Sequence, residues 1–408
     1  MDEKSLKKYS RNALLGSFVS MLTAGLATMM YSVCLGTIQT ELSLTAAQSG
    51  SLATYTFMGQ MLGGMVAGYI ADRIGRKKVL IADVILATGA VFATSFLTSY
   101  SIFGLLRFIT GVGLGGCYYI ASILIGEFVS TDKRGFMSGV STSVWNFGYV
   151  VACVMSSTVL NSIGWRNCFR ICALPILAVI FMVFCMKDAA AKAARDKRDA
   201  SMGKKENAYA EIWASPKLRK SFIIWSISMI LYFYGYYGFI TWLPSYVQGR
   251  VGMTSAGWIT AAGYIAMIIG TAGGGKIADK IGRKKLFLIG TIGTAIFGLC
   301  LAMWANESNV LVLMLLYGVC YGMPTGIHAT FIGECFPTHL RTTGVGFTFN
   351  IGRLGAFIAP ILIGKMVDMD MISLGIATMT VSYVLCSVAT LPIKEREYDA
   401  SKVSAELE

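Results

Sequence analysis

The sequence predicts an all-α membrane protein in which twelve transmembrane helices form two six-helix bundles related by a pseudo-two-fold axis. Three observations lead to this fold class: the composition, a series of long apolar segments, and an internal repeat. Of the 408 residues, 55% are hydrophobic and 14% are charged. The mean hydropathy of +0.62 is far above that of a water-soluble protein. An ordinary water-soluble enzyme is therefore excluded.

Twelve apolar segments are long enough to cross a bilayer, since a spanning helix needs about 20 residues. Charged or turn residues bound each segment. The first follows the charged stretch Met1 to Arg11 without a small-residue cleavage site, so we expect a retained helix. The predicted spans are residues 14–36, 46–71, 79–98, 101–127, 137–161, 168–186, 221–247, 254–278, 285–305, 309–333, 342–366 and 371–392.

The basic residues predict the orientation, because short loops rich in Lys and Arg remain cytoplasmic. Placing both termini and the alternate loops in the cytoplasm collects 29 of the 35 Lys and Arg residues there. We therefore expect a multi-pass protein of a bacterial plasma (inner) membrane with both termini cytoplasmic. The net charge of +13 does not predict a nucleic-acid partner, since the charges lie in short gaps between apolar segments.

The chain divides into two halves that repeat each other. The predicted domains are a six-helix bundle over 1–186, a basic cytoplasmic linker over 187–220, and a second bundle with a cytoplasmic tail over 221–408. An offset of 207 residues relates the halves: Gly68-x-x-x-Asp72-Arg73-x-Gly75-Arg76-Lys77-Lys78 recurs as Gly275-x-x-x-Asp279-Lys280-x-Gly282-Arg283-Lys284-Lys285. Repeats that face the same way imply two bundles around an axis along the membrane normal, with a site between them.

The repeated loop sequence resembles the signature GxxxDRxGRR of the major facilitator superfamily, and the resemblance covers nearly the whole chain. The segments Gly111 to Gly116 and Glu334 to Gly355 further resemble the organic-ion and aromatic-acid/proton symporter branch. The resemblance implies the major facilitator fold and secondary active transport of a small organic anion by alternating access with proton symport.

Charged residues at the ends of the spans are candidates for a gate. A charge pair that forms in only one conformation biases the equilibrium between the two open faces. The alternative is a basic loop that only fixes the topology. The candidate gating residues, several of them supplied by the resemblance, are Asp72, Arg76, Asp279, Arg283, Arg134 and Arg341.

Arg353 has the clearest predicted role. It lies roughly 16 Å from the cytoplasmic end of span 11, and an ionisable residue at that depth is costly and therefore a functional candidate. A guanidinium can bind a carboxylate through two parallel hydrogen bonds, and the repeat partner, Asn146, could add a neutral contact from the opposite bundle. The alternative is a structural ion pair within the second bundle.

Aromatic residues are the second part of the predicted substrate site. They are concentrated in span 7, where helical spacing places Tyr232 and Tyr236 on one face. Such a face could stack a flat or partly apolar ligand, although aromatic residues also form belts at the membrane interface. The remaining predicted lining residues are Tyr31, Trp145, Tyr149 and Tyr321.

Five further ionisable residues are candidates for proton or conformational coupling: Arg107, His328, Glu127, Glu334 and Asp83. Arg107 breaks the repeat, since Met314 occupies the equivalent position. The pKa of histidine near 6.5 suits His328 to proton exchange. A structural hydrogen bond is the alternative for Arg107, and a neutral ring satisfied by a neighbour is the alternative for His328.

Motifs of other protein classes are missing from the sequence. No GxxxxGK[ST] motif for ATP occurs, neither HExxH nor GxSxG is found, and the cysteines lack metal-type spacing. We therefore expect no enzyme activity, no cofactor and no metal. The expected protein is a monomer in the lipid bilayer whose partners are protons and a small organic anion. We expect this anion to be a monocarboxylate, with an aromatic skeleton as one option. An anion exchanger, a uniporter and a non-transporting membrane receptor remain alternatives.

Overall fold

The computed structural model describes residues 3–128, 131–186, 208–337 and 340–393. Within these ranges the side chains of residues 3–10, 72, 122, 125–128, 131–136, 138, 208–209 and 342 are not described. Most of the predicted linker, and the side chains of Asp72, Glu127 and Arg134, therefore lie outside the described part. All regular secondary structure in the described ranges is helical.

Seven helices make up the first half and seven the second. Those of the first half are α1 Glu3–Glu41, α2 Ala46–Ile74, α3 Arg76–Thr94, α4 Tyr100–Phe128, α5 Thr131–Thr158, α6 Leu160–Cys172 and α7 Leu177–Cys185. Those of the second half are α8 Ala208–Ala214, α9 Pro216–Val251, α10 Met253–Ile281, α11 Arg283–Trp304, α12 Val310–Glu334, α13 Arg341–Asp368 and α14 Ile372–Thr390.

The sixth predicted span is a broken helix. A 3₁₀ turn at Leu174–Ile176 separates α6 from α7, because Pro175 has no N–H for a continuous helix. With α6 and α7 taken together, nine helical segments in the described ranges are long and apolar enough to span a membrane. The three other predicted spans, α2, α3 and α5, are more polar. All three pack against helices of the bundle, so their polar residues have protein neighbours.

Capping and turn residues set the helix boundaries. Thr45 and Gln48 form a capping box at the start of α2. At the other end of α2, Gly75 has a φ of 105°, and its repeat partner Gly282, between α10 and α11, has a φ of 96°. Glycine adopts this conformation without the steric cost of a Cβ. The glycine of the repeated loop sequence is therefore the residue that allows two spans to be joined by a single residue.

The helix contacts obey the repeat. In the first half α1 packs on α5, and α4 packs on α2 and α3; in the second half α9 packs on α13, and α12 packs on α10 and α11. Across the halves α2 contacts α13 and α5 contacts α10, and these two contacts exchange under the offset of 207 residues. The predicted fold class, two bundles about a pseudo-two-fold axis, is confirmed.

Glycines in equivalent positions permit the closest helix packing. A Cβ added to Gly111 of α4 would overlap the carbonyl oxygen of Thr56 on α2, and one added to Gly318 of α12 would overlap that of Gly263 on α10. Both pairs are related by the offset of 207 residues. Small residues at such positions let backbones approach in membrane bundles.

The bundle has two ends, which we name the Asp368 end and the Arg283 end after the residues there. At the Asp368 end the halves touch: the Thr54 hydroxyl donates to the Phe357 carbonyl at 2.9 Å, and the Ser157 hydroxyl donates to the Thr254 carbonyl at 2.6 Å. Toward the Arg283 end, a Cβ added to Gly139 or to its repeat partner Gly346 would meet nothing within 4 Å.

Candidate functional site

Arg353 lies near the middle of α13 and is half-buried. Two neighbouring glycines let α13 pack closely on α9. A Cβ added to Gly352 would press on the Met229 side chain, and one added to Gly355 would overlap the backbone of Ile230. The sequence Gly-Arg-Leu-Gly thus directs its glycines to α9 and leaves the guanidinium on a different face of the helix.

The face that carries Arg353 points to the boundary between the halves. Helical spacing aligns Arg353 with Phe357 and Pro360, which contact α2 of the first half. The guanidinium is within electrostatic range of the phenol groups of Tyr118 on α4 and Tyr237 on α9. Arg353 is therefore a cation at mid-depth that interacts electrostatically with a tyrosine of each half.

Three aromatic side chains of the first half line this boundary. The Tyr118 ring meets Trp145 edge-on, with ring centroids 5.5 Å apart. The indole N–H of Trp145 donates to the Tyr149 hydroxyl at 2.7 Å. Tyr118 is 40% exposed although it lies at mid-depth and beside Trp145 and Arg353, so part of its ring is available to a ligand.

Tyrosines of the second half face them. Tyr236 stacks on Tyr321 with centroids 5.1 Å apart. Two aromatic pairs join the halves: Phe57 with Tyr237 at 4.4 Å, and Tyr149 with Tyr264 at 5.2 Å. Contact between the halves therefore extends from the Asp368 end to the depth of Arg353.

Asn146 is fully buried on α5, and neither polar atom of its amide has a hydrogen-bond partner among the described residues. Helical spacing aligns it with Cys153 and Ser157, which contact α10 of the second half. An unpaired buried polar group costs about 1–3 kcal/mol. The amide is consequently a group that a ligand or water at the boundary would satisfy.

Gln60 is a buried polar residue of α2 that the sequence prediction did not include. It is 4% exposed, and its amide nitrogen has no acceptor within the described ranges. Its position on α2 lies between residues that touch α4 and residues such as Thr54 that touch α13. Gln60 carries no charge, and its repeat partner is Met267, so only the helix packing identifies it.

Two predicted lining residues have hydrogen-bond partners within their own halves. Tyr31 is buried in the first half and donates to the Ser49 carbonyl at 2.7 Å. Tyr232 is buried in the second half, where its hydroxyl pairs with the Thr325 hydroxyl at 2.7 Å and its ring meets Tyr383 edge-on. Their contacts suit them to support the lining rather than to touch a ligand.

His328 lies one helical turn from the site toward the Arg283 end. Its ring is sandwiched between Tyr232, at 5.7 Å, and Phe349, at 4.8 Å. Nδ1 is 3.0 Å from the Pro324 carbonyl, and since a carbonyl only accepts, we assign the proton of the neutral ring to Nδ1. Phe349 precedes Arg353 by four residues on α13, so helical spacing places both on one face of that helix.

Two of the other coupling candidates, Asp83 and Arg107, are buried in the first half. Asp83 is 8% exposed, and a Cβ added to Gly116 of α4 would fall on its carboxyl group. This carboxyl therefore lies between α3 and α4 rather than at the boundary. Arg107 is 2% exposed, with its guanidinium over the Tyr31 ring at 4.4 Å.

Charged side chains of the repeated loops join helix ends at the Arg283 end. Arg283 forms an ion pair with Glu334 and lies 3.8 Å from Asp279. Arg341 donates through Nε to a carbonyl near the end of α12 at 3.0 Å. Arg76, the repeat partner of Arg283, is 4% exposed. The described pairs all lie within one half, where they brace the ends of neighbouring helices.

The lysines of the loops cap the last helix of each half. Lys77 donates to the carbonyls of Val183 and Met186 at 2.7 and 2.6 Å. Its repeat partner Lys284 donates to the Leu391 carbonyl at 2.8 Å. A cation at a helix C-terminus satisfies free carbonyls and favours the helix dipole.

Two repeated bundles of membrane-spanning helices define the architecture of a membrane transporter, not of an enzyme. The chain belongs to the Major Facilitator Superfamily, which residues 17–360 and 251–407 match.

Similar proteins and solved structures agree with this assignment. The chain is 33% identical over 394 residues to the cis,cis-muconate transport protein of Acinetobacter baylyi, covering 95% of each chain. It is 27% identical to the gentisate transporter of Corynebacterium glutamicum, over 87% of this chain and 80% of that one. The inward open conformation of the xylose transporter XylE from E. coli has the same fold, with a TM-score of 0.80, 18% identity, and coverage of 98% and 100%.

Proposed function

We propose that this protein carries small carboxylic acids with a flat, unsaturated or aromatic skeleton across the membrane, and that Arg353 binds the carboxylate. The observation that carries the proposal is a guanidinium at mid-depth that interacts electrostatically with a tyrosine of each half. A cation at mid-depth in a membrane protein is costly unless an anion compensates it, even where the side chain is half-buried as that of Arg353 is. Relatives of this chain are named as a cis,cis-muconate transport protein, a putative niacin/nicotinamide transporter and a gentisate transporter. Muconate, niacin and gentisate are acids of this kind.

The remaining lining suits the skeleton of such an acid. Tyr118, Trp145 and Tyr236 offer faces and edges for a flat ligand. Asn146 and Gln60 add amide groups from the first half. A ligand held by Arg353 on one side and by these amides on the other would bind both halves at once.

We further propose that transport proceeds by alternating access, with both termini in the cytoplasm. The distribution of basic residues supports this orientation. The Asp368 end would then face outward, and the conformation described here would be open toward the cytoplasm. Opening to the outside requires the contacts of Thr54 with Phe357 and of Ser157 with Thr254 to break.

Proton symport is proposed as the driving reaction, with anion exchange and uniport as its rivals. His328 is favoured among the candidates because its ring stacks on an aromatic residue of the helix face that carries Arg353. Glu334 is paired with Arg283, and Asp83 lies away from the boundary. In proteoliposomes, an acid gradient alone should drive accumulation of the acid. Flux that is indifferent to that gradient would favour uniport or exchange.

The binding proposal is tested by replacing Arg353 with Lys. The variant keeps the charge but loses the planar fork, so affinity for a carboxylate should fall by roughly ten- to a hundredfold, the equivalent of about 1.5–3 kcal/mol. Calorimetry of purified protein with cis,cis-muconate, gentisate and nicotinate measures this, and nicotinamide serves as the neutral analogue of nicotinate.

A matched control variant separates the site from general damage. Arg250→Lys makes the same change near the Asp368 end, where Arg250 lies over the Tyr246 ring at 5.2 Å, and it should bind as the parent does. Unchanged carboxylate affinity in folded Arg353→Lys would remove Arg353 from the site. Equal affinity for nicotinate and nicotinamide would remove the carboxylate from the proposal.

A further inference from the structure

Arg107 is a buried cation, distinct from the half-buried Arg353 and the site around it. Only 2% of it is exposed. Its guanidinium lies 4.4 Å from the centre of the Tyr31 ring, which a hydrogen bond to the Ser49 carbonyl holds in place. A desolvated cation–π contact gives about 2 kcal/mol, less than the several kcal/mol that burying an ion costs. The aromatic contact alone therefore does not compensate the charge.

No described carboxylate neutralises this charge. Neither Nε nor Nη1 of Arg107 has a hydrogen-bond acceptor in the described ranges. In the first half Glu41 is engaged by Arg166 at 2.7 Å, and Asp83 lies on the α3 side of α4. Glu127, whose side chain is not described, is twenty residues further along α4, or about 30 Å along the helix. The counter-charge must come from elsewhere.

The repeat shows that the fold does not need a cation at this position. Met314 of α12 is the repeat partner of Arg107, and it lines an apolar cavity together with Tyr264, Met267 and Tyr317. The partners of Met267 and Tyr317 in the first half are Gln60 and Thr110. Gln60 Nε2 and Thr110 Oγ1 are both buried without a partner among the described residues. One half thus has an apolar cavity where the other has a cation with polar groups.

Arg107 lies on the face of α4 that leads to the Arg353 site. Helical spacing aligns Arg107, Leu114 and Tyr118, and Tyr118 is the residue of this row that is near Arg353. Arg107 is eleven residues closer to the Asp368 end, or about 16 Å along the helix. The halves are in contact in that part of the bundle, for example from Thr54 to Phe357. Arg107 is therefore reached only when the Asp368 end opens.

We propose that Arg107 is a second anion-binding site, which takes the substrate carboxylate at the Asp368 end before Arg353 receives it. Two arginines at different depths then serve the two open states in turn. This inference rests on the proposed function, since it assigns a second binding site to the same substrate carboxylate. It gives the guanidinium the counter-ion that the described residues do not supply.

Arg107→Met tests the proposal, because methionine is the residue that the second half has at this position. The probe is cis,cis-muconate. In right-side-out vesicles, the KM for uptake from the Asp368 side should rise about tenfold or more, as expected for the loss of a charged hydrogen bond. Calorimetry of the purified protein, closed at the Asp368 end, should give a Kd within about twofold of the parent. Met314→Leu, the matched change in the second half, should alter neither value.

Each outcome is decisive. An unchanged KM in folded Arg107→Met overturns the proposal, as does a KM and a Kd that rise together. Arg107→Gln is measured alongside because it keeps a polar side chain, and failure of both variants to fold would assign Arg107 a structural role instead. If the parent protein binds none of cis,cis-muconate, gentisate and nicotinate, the proposed function itself fails. If the parent binds cis,cis-muconate and only the Arg107 result is negative, the second site alone is wrong.

Discussion

Asp368 holds the two halves together at one end of the molecule. It is the last residue of α13, and its carboxylate accepts hydrogen bonds from the first two N–H groups of α2, from Ala46 at 2.6 Å and from Ala47 at 2.9 Å. These N–H groups have no partner within the helix, and the N-terminus carries partial positive charge. A residue of one half thus caps a helix of the other half. The contact must break when the Asp368 end opens.

We expect this contact to bias the proposed equilibrium between the two conformations. Two charge-assisted hydrogen bonds would contribute several kcal/mol if they were buried, but Asp368 is exposed to solvent. The cost of losing a helix cap, about 0.5–2 kcal/mol, is therefore the appropriate scale. Asp368→Asn removes the charge and one acceptor, so we expect about 1 kcal/mol, a roughly fivefold shift toward the conformation open at the Asp368 end. Asp368→Ala should shift it further.

Single-molecule energy transfer in lipid nanodiscs measures this shift. Labels at Ser99 and Glu307, two exposed residues at the Asp368 end of opposite halves, report the opening. They are introduced through unnatural amino acids, since the ten native cysteines are free thiols that would compete for a thiol-reactive dye. Asp370→Asn is the matched control, because it removes an exposed carboxylate two residues away that makes no contact with α2 in the described ranges. The same distance distribution in Asp368→Asn, Asp370→Asn and the parent would refute the reasoning.

Two further predictions concern packing and capping. Gly257 lies so close to α5 that an added Cβ would overlap the Ser157 hydroxyl. Gly257→Val should therefore separate the halves and lengthen the distance between the same two labels. Gly249→Val should not, because a Cβ there would meet nothing within 4 Å; equal distances in the two variants would contradict the packing argument. Lys77→Met should lower the melting temperature more than Lys284→Met, because Lys77 donates to two helix-end carbonyls and Lys284 to one. Each such interaction contributes about 0.3–1 kcal/mol. The reverse order of melting temperatures would show that these caps do not determine the difference in stability between the two variants.

The sequence predicts the helices and their repeat well because both depend on local composition and on spacing along the chain. Arg353 at mid-depth follows from its distance to the end of an apolar segment. Gln60 does not, because an uncharged polar residue in a helix of small residues gives no signal until the positions of α4 and α13 are known. The roles of Lys77 and Lys284 as caps were also beyond the sequence. Their charge predicted the orientation of the loops, but the carbonyls that they satisfy lie more than a hundred residues away.

Tyr31 and Tyr232 illustrate the opposite limit. Composition and helical spacing place both in apolar helices with other aromatic residues, and lining a cavity is one of the roles open to such residues. Each instead donates or shares a hydrogen bond inside its own half, with Ser49 and Thr325 respectively. Which face of a span is turned to the boundary depends on contacts between helices far apart in sequence. Hydropathy carries no information about that choice.

The departures from the repeat assign different tasks to the two interfaces between the halves. At the α2–α13 interface a carboxylate caps a helix, and its repeat partner in the first half is Asn161, which has no charge. At the α5–α10 interface the hydroxyl of Ser157 and close packing on Gly257 make the contact. Repeat partners also differ in charge at mid-depth, where the charged Arg353 of the second half corresponds to the uncharged Asn146 of the first half. Equivalent positions that match, such as the capping lysines, maintain the architecture in both halves. Those that differ, Arg353 and Asp368 in the second half and Arg107 in the first, make the two sides of a symmetric frame chemically unequal. Such inequality is what the proposed carrier needs if a carboxylate is to bind in one orientation.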